Sequence, residues 1–241
     1  MNEALFSLPF AEAAEFFRAK LNIPSERWDD LWQEEHAKGF MVAGAMKADL
    51  LADFAEAVDA ATAEGLTLPE FRARFDEIVQ KHGWSYNGGR NWRSALIYDT
   101  NVTTAYQSGR WRQFVEGGAT HLKYVHADGV ENPRPHHVAL HGTVRPIDDP
   151  FWQTHYPPNG WGCKCRAVRA DADEATGIPA AASDPETIDQ GWGYNVGAAG
   201  LDRDHGILTG KVTRLRERGV IGGMLADALL EEIAELVGGA R

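Results

Sequence analysis

Residues 121–169 read HLKYVHADGVENPRPHHVALHGTVRPIDDPFWQTHYPPNGWGCKCRAVR, and this stretch decides what kind of fold the chain can have. It contains both cysteines of the 241-residue chain, six of its nine histidines and six of its eleven prolines. Each proline fixes φ, removes a backbone N–H donor and favours an extended conformation in the residue before it, so little of the stretch can be helical. A loop of this length is uncommon in a compact domain unless it is held in place or has a function.

The sequence before this stretch has the periodicity of helices. The spacing of its apolar residues predicts helices over about 9–21, 25–39, 41–64, 67–83 and 90–116. Pro9 is typical of a first helical position, and Ser25 and Thr67 are predicted N-caps. Glu70 completes a capping box with Thr67.

The pattern changes after Gly117 and Gly118. The alternation in THLKYVHA predicts a strand that ends near His126, and short extended pieces at 142–146 and 163–169 would complete a small antiparallel sheet. Beyond Ala170 we expect an irregular arm, and then a helix over about 211–239.

We therefore predict an α+β protein that is mainly α. Its N-terminal helical region is followed by a small antiparallel β module with a long loop rich in proline and aromatic residues, and by a C-terminal helix. The predicted organisation is an N-terminal helical region (1–88), a core (89–170), and an extended arm with C-terminal helices (171–241).

The composition of the chain argues against nucleic-acid-binding proteins and membrane proteins. The formal net charge of −11 argues against unspecific nucleic-acid binding, which needs an excess of Lys and Arg, and we expect no direct sequence-specific binding either. No run reaches the roughly 20 apolar residues of a membrane span, and we expect no membrane association. Cys163 and Cys165 are separated by a single residue and are poorly placed to form a disulfide with each other. Two free cysteines favour a reducing compartment.

Four residues of the central stretch have metal-ligand chemistry: His137, His141, Cys163 and Cys165. If 137–141 is helical, the spacing places both imidazoles on one face, and a C-x-C pair can present two thiolates to the same ion. A structural zinc site is one interpretation. The other is that the cysteines pack as small apolar groups and the histidines bond to backbone carbonyls.

The aromatic residues Phe151, Trp152, Tyr156 and Trp161 also allow two interpretations. They could form a docking surface for a partner, since aromatic residues dominate interface hot spots, or a small core beneath the loop. An acid–base constellation of His136, His155, Asp148 and Asp149 is a weaker hypothesis, because sequence proximity does not establish hydrogen-bond geometry.

Several motifs together resemble one family. They are RPHHVALHG (134–142), DDPFW (148–152), THYPPNGWGCKCR (154–166), GWGYNVG (191–197), YDTN with Ala105 in the preceding helix, and WDDLWQEEHAKGF (28–40). They closely resemble the phage Mu protein F-like family of head morphogenesis proteins, over nearly the whole chain. His137, Cys163 and Cys165 fall on the family's characteristic positions, whereas His136 and His155 fall on more variable ones.

The resemblance implies a minor head protein, not an enzyme, that assembles with portal and major capsid or scaffold proteins. It also implies a place in the bacterial host cytoplasm during assembly and then in the virion. A rival hypothesis is a metal-dependent hydrolase or nuclease, which would need an open metal position and a nearby carboxylate such as Asp128 or Asp148. A third is a small binding module from a prophage remnant.

Overall fold

The structure, a computed structural model, describes residues 10–127, 129–130, 132–184 and 186–239. Within them lie the α-helices α1 (Ala11–Arg18), α2 (Glu35–Lys38), α3 (Ala48–Ala63), α4 (Leu68–His82), α5 (Arg90–Glu116), α6 (Pro135–Ala139), α7 (Phe151–His155), α8 (Val196–Leu201), α9 (Thr209–Glu217) and α10 (Gly223–Gly239). The strands are β1 (Leu21–Asn22), β2 (Gly39–Phe40), β3 (His121–Val125), β4 (Val144–Pro146) and β5 (Arg166–Ala170). The predicted α+β, mainly α fold is confirmed.

Two helices begin and end where the sequence predicts. α5 has the predicted bounds, and α4 begins at the predicted capping box, in which the backbone N–H of Thr67 donates to Glu70 Oε2 at 2.7 Å. α4 ends at Gly83, whose φ of 57° is left-handed. Local signals therefore fix these helix ends. The N-terminal position predicted for Pro9 lies outside the described residues.

The predicted helix over 25–39 is wrong, because only Glu35–Lys38 is helical. Ser25 does not cap a helix; it is buried, and its hydroxyl lies 3.4 Å from the Val42 carbonyl. Asp30 Oδ2 instead accepts the N–H groups of Glu26 and Arg27, both at 2.8 Å. A short acidic side chain that bonds to nearby backbone in this way stabilises a turn at the expense of a helix.

α3 begins seven residues later than predicted, at Ala48 in place of Met41. Gly44 has a left-handed φ of 84°, and its N–H donates to the Ser25 carbonyl at 3.0 Å. The predicted C-terminal helix is likewise divided into α9 and α10 by a turn at Gly219, whose φ is 72°.

The predicted antiparallel sheet is confirmed, with the strand order β4-β3-β5. In the register, Lys123 pairs with Val144 on one side and Val125 with Arg166 on the other. Leu122 and Tyr124 on the central strand are buried against the helices. β1 and β2 form a separate parallel pair of two residues each.

Two groups of buried side chains fill the part of the molecule that the structure describes. The main one joins α1, α3, α4 and α5 to the sheet and to α7, and the smaller one packs Leu21, Ile23 and Leu31 against α9 and α10. The predicted division at 88 and 170 stays a prediction, although the main group draws on all three segments, for example through Phe54, Trp111 and Val196. In the described part of the chain, no helix is long and apolar enough to cross a bilayer.

Candidate metal centre

His137 reaches the interior from a helix of five residues. Pro135 occupies the first turn of α6, where its missing N–H costs nothing and its fixed φ suits a helix. The turn places His137 on the inner side of the helix, with 3% of its surface exposed. A histidine on this proline-rich segment is thus held in the core.

Cys163 and Cys165 approach the same point from the segment that leads into β5. Gly162 takes a φ of 67°, and the Cys163 N–H donates to the Gly160 carbonyl at 3.1 Å, so the chain turns sharply before the first cysteine. Both side chains are buried, and the two thiols are free. Residues from two separate elements therefore converge.

The three side chains form a compact donor set. His137 Nδ1 lies 3.6 Å from Cys163 Sγ and 3.7 Å from Cys165 Sγ. One ligand atom from each of the three residues lies within 4.8 Å of the others. In a tetrahedral site with Zn–S of about 2.3 Å and Zn–N of about 2.0 Å, sulfur and nitrogen lie about 3.5 Å apart. The spacing of the donors fits zinc.

The electrostatics of the two thiols differ. A hydrogen bond with Cys163 lowers the pKa of Cys165 to about 7, and the same interaction together with burial raises the pKa of Cys163. The pair thus favours a thiolate on Cys165, with the Cys163 S–H as its donor. Thiolates are the form in which cysteine ligates metals.

His141 is not part of this donor set. α6 ends at Ala139 and Gly142 follows with a left-handed φ of 83°, so the helix does not continue far enough to align 137 with 141. His141 is exposed, and its Nδ1 accepts the N–H of His126 at 3.2 Å. Within the described residues the donor set has three members, which leaves a fourth coordination position for water or another donor.

Three residues that the sequence did not single out hold the centre in place. Gln107 on α5 donates to the Cys165 carbonyl at 3.3 Å and accepts the Tyr156 hydroxyl on its own carbonyl at 2.8 Å. The Tyr124 hydroxyl donates to Asn159 Oδ1 at 3.1 Å, and both residues are fully buried. Of these three residues, Tyr124 alone could have been found from the sequence, because a tyrosine on the inward face of a strand needs a hydrogen-bond partner for its hydroxyl.

Neither carboxylate considered for a hydrolase belongs to the donor set of His137, Cys163 and Cys165 in the described residues. Of the two candidate carboxylates, Asp128 lies outside those residues and Asp148 is not among the clustered donors. His155 Nε2 bonds to the Ala182 carbonyl at 3.1 Å, while Asp149 pairs with Arg145. His155 and Asp149 are thus engaged in separate local contacts, and His136 lies 3.6 Å from the carboxylates of Asp184 and Glu186.

The four aromatic residues divide into two kinds. Phe151, Trp152 and Tyr156 are buried in the main core, at 5%, 1% and 0% exposure. These three side chains are therefore not available as a docking surface, and they belong to the main core and not to a separate small one. Trp161 is 36% exposed and lies at the surface.

The chain is similar to known proteins over a region that includes these residues. A sequence model described as "Phage Mu protein F like protein" matches residues 52–168, which include all three donors. The chain is 31% identical to the "Putative capsid assembly protein F" of Escherichia phage Mu over 259 residues, which cover 87% of this chain and 59% of that protein. The chain belongs to the phage Mu protein F-like family.

A second relative supports this membership. The "Mu-like prophage FluMu F protein" of Haemophilus influenzae is 30% identical over 237 residues, covering 79% of this chain and 57% of that protein. The chain thus spans less than two thirds of the length of both relatives. No solved structure matches the chain.

Proposed function

We propose that this Mu F-like protein acts in phage head morphogenesis as a minor head protein, in contact with portal and major capsid or scaffold proteins. The observation that carries the proposal is the 31% identity, over 87% of the chain, to a protein named as a putative capsid assembly protein. On this proposal the protein is made in the bacterial host cytoplasm and ends in the virion, inside the capsid or near the portal.

A role in contacts, not in catalysis, is supported by the burial of the donor set. His137, Cys163 and Cys165 are only 3%, 5% and 3% exposed, so a substrate could not reach them without opening the core. The three donors leave one coordination position unfilled by protein, but that position is buried, whereas a catalytic metal needs a position that a substrate can reach.

Deletion of the gene in the phage that encodes it tests the proposal. We expect induced cells to lyse without normal filled heads, as seen by electron microscopy, and a plasmid copy to restore infectious particles. Normal particle yield without the gene would refute a role in assembly. Co-purification of the protein with the portal protein of the same phage tests the finer proposal separately.

We further propose that His137, Cys163 and Cys165 hold a structural zinc ion. Zinc bound there would connect α6 to the segment before β5 and so stabilise the fold. The support is the separation of the donors, 3.6 and 3.7 Å from nitrogen to sulfur, and the thiolate favoured on Cys165.

Elemental analysis of the purified protein tests the zinc proposal. We expect about one zinc per chain in the wild type, and loss of zinc together with thermal stability in His137→Asn and in Cys163→Ser/Cys165→Ser. His141→Asn is the matched control, since His141 is exposed and outside the donor set. Wild-type protein without metal would refute the proposal, and loss of zinc in the control would restore His141 as a ligand.

A further inference from the structure

A groove lined by tryptophan rings runs along α5, and none of the three metal donors borders it. It has a small end of about 110 Å³ and a wider, more open end of about 650 Å³. Trp28, Arg93 and Trp161 border both ends, so the two spaces adjoin. Trp32 borders the small end and Trp92 the wide end.

The tryptophan rings contact one another along the groove. Trp28 lies 5.8 Å from Trp32 and 6.2 Å from Trp161, and Trp161 lies 5.1 Å from Trp192, measured between ring centroids. Trp28, Trp92 and Trp161 are 43%, 57% and 36% exposed. Clustered and partly exposed tryptophans are typical of surfaces that bind another protein.

The wall of the groove also contains polar atoms that lack partners. Arg93 is 9% exposed and carries its guanidinium over the Trp84 ring, and one of its terminal nitrogens donates to the Ala43 carbonyl. Its Nε is buried and makes no hydrogen bond within the described chain, and the same holds for Thr100 Oγ1. Both residues border the small end. Buried donors without acceptors are rare in folded proteins.

Lys20 adds a second cation at the small end. Its amine lies 4.6 Å from the centre of the Phe16 ring, and burial lowers its pKa to about 7. Among the residues the structure describes, neither Lys20 nor Arg93 makes an ion pair. In a chain with a net charge of −11, two basic side chains at one groove that form no ion pair among the described residues indicate complementarity to an anion, which would in turn favour the charged form of Lys20.

We propose that this tryptophan groove binds a segment of a partner protein that places one apolar side chain in the small end and an adjacent carboxylate beside Lys20. The volume of about 110 Å³ is less than that of the enclosed cavity of about 150 Å³ known to hold benzene, but the small end is partly open, so one side chain can enter it without being fully enclosed. The identity of the partner as another head protein rests on the proposed function. The wide end would hold the neighbouring residues of the segment against Trp92.

Two small probes that differ only in charge test the proposal. N-acetylphenylalanine carries the ring and the carboxylate, whereas N-acetylphenylalaninamide carries the same ring without the charge. We expect the acid to shift the indole N–H resonances of Trp28, Trp161 and Trp192 in NMR titrations of the full chain, and to bind about tenfold more tightly than the amide.

Variants separate the two parts of the binding site. Lys20→Met keeps an apolar stem over Phe16 and should remove most of the preference for the acid, whereas Lys47→Met, an exposed lysine outside the groove, should leave it unchanged. Trp161→Ala should weaken the binding of both probes. Equal binding of acid and amide, or an unchanged preference in Lys20→Met, would overturn the proposal.

The outcome is independent of the proposed function. If the acid fails to bind selectively while deletion of the gene still abolishes heads, the groove proposal falls and the assembly role stands. If the acid binds selectively while heads form normally without the gene, the groove proposal stands and the partner of the groove is not a head protein.

Discussion

At the scale of single residues, the donor set combines His137 from α6 with Cys163 and Cys165 from the segment before β5. The C-x-C pair and His137 are visible as residue types, and each lies where the fold brings it to the others. His141 has suitable chemistry, but its position depends on where a five-residue helix ends. Helix ends in proline-rich sequence depend on tertiary contacts, and spacing alone does not give them.

His36 yields a prediction about pH. Burial, and to a lesser extent the charge of Lys20, lowers its pKa from 6.5 to about 4. The unfolded chain therefore binds more protons than the folded one between these values, so folding stability falls as the pH falls from about 6.5 to about 4.

The difference between wild type and His36→Gln isolates this contribution. We expect the melting temperature, followed by circular dichroism, to fall less in the variant than in the wild type as the pH is lowered through this window. Comparing the two falls removes any effect of the substitution that does not depend on pH. Parallel falls in the two proteins would contradict the prediction.

At the scale of elements, prediction succeeded where a helix carries its own start and stop signals. α4 has a capping box and a left-handed terminal glycine, and its predicted ends are those observed. The segment 25–39 has apolar residues at helical spacing, yet Asp30 bonds to the backbone N–H groups of Glu26 and Arg27 and stabilises a turn. Apolar periodicity cannot reveal a competing bond of this kind.

The capping box of α4 gives a quantitative prediction. Thr67→Ala removes the side-chain acceptor at the N-cap and should lower the free energy of unfolding by about 1 kcal/mol, measured by urea denaturation. Thr213→Ala is the matched control, because Thr213 lies within α9, is exposed and bonds only to the Thr209 carbonyl among the described residues. Its substitution should change the free energy by less than about 0.5 kcal/mol, and equal losses would contradict the role of the cap.

At the scale of the whole molecule, the fold class followed from the sequence but the packing of its elements did not. α8 was not predicted, although Asn195 caps it by accepting the N–H groups of Gly197 and Ala198 at 2.9 Å. α8 packs on α5 so closely that a Cβ at Gly197 would lie 2.1 Å from Trp111 Cβ. Contacts between positions this far apart are set by the assembled core, and the periodicity of a single sequence does not reveal them.

The tryptophan groove joins positions that are made at very different times during translation. Trp28 is synthesised early, Arg93 near the middle of the chain and Trp192 much later, and the three border one space. A ribosome that stalls before residue 192 releases a polypeptide with an incomplete wall. If the groove binds a partner in the growing particle, truncated copies cannot bind that partner. Incorporation into the particle would then select chains that extend beyond residue 192.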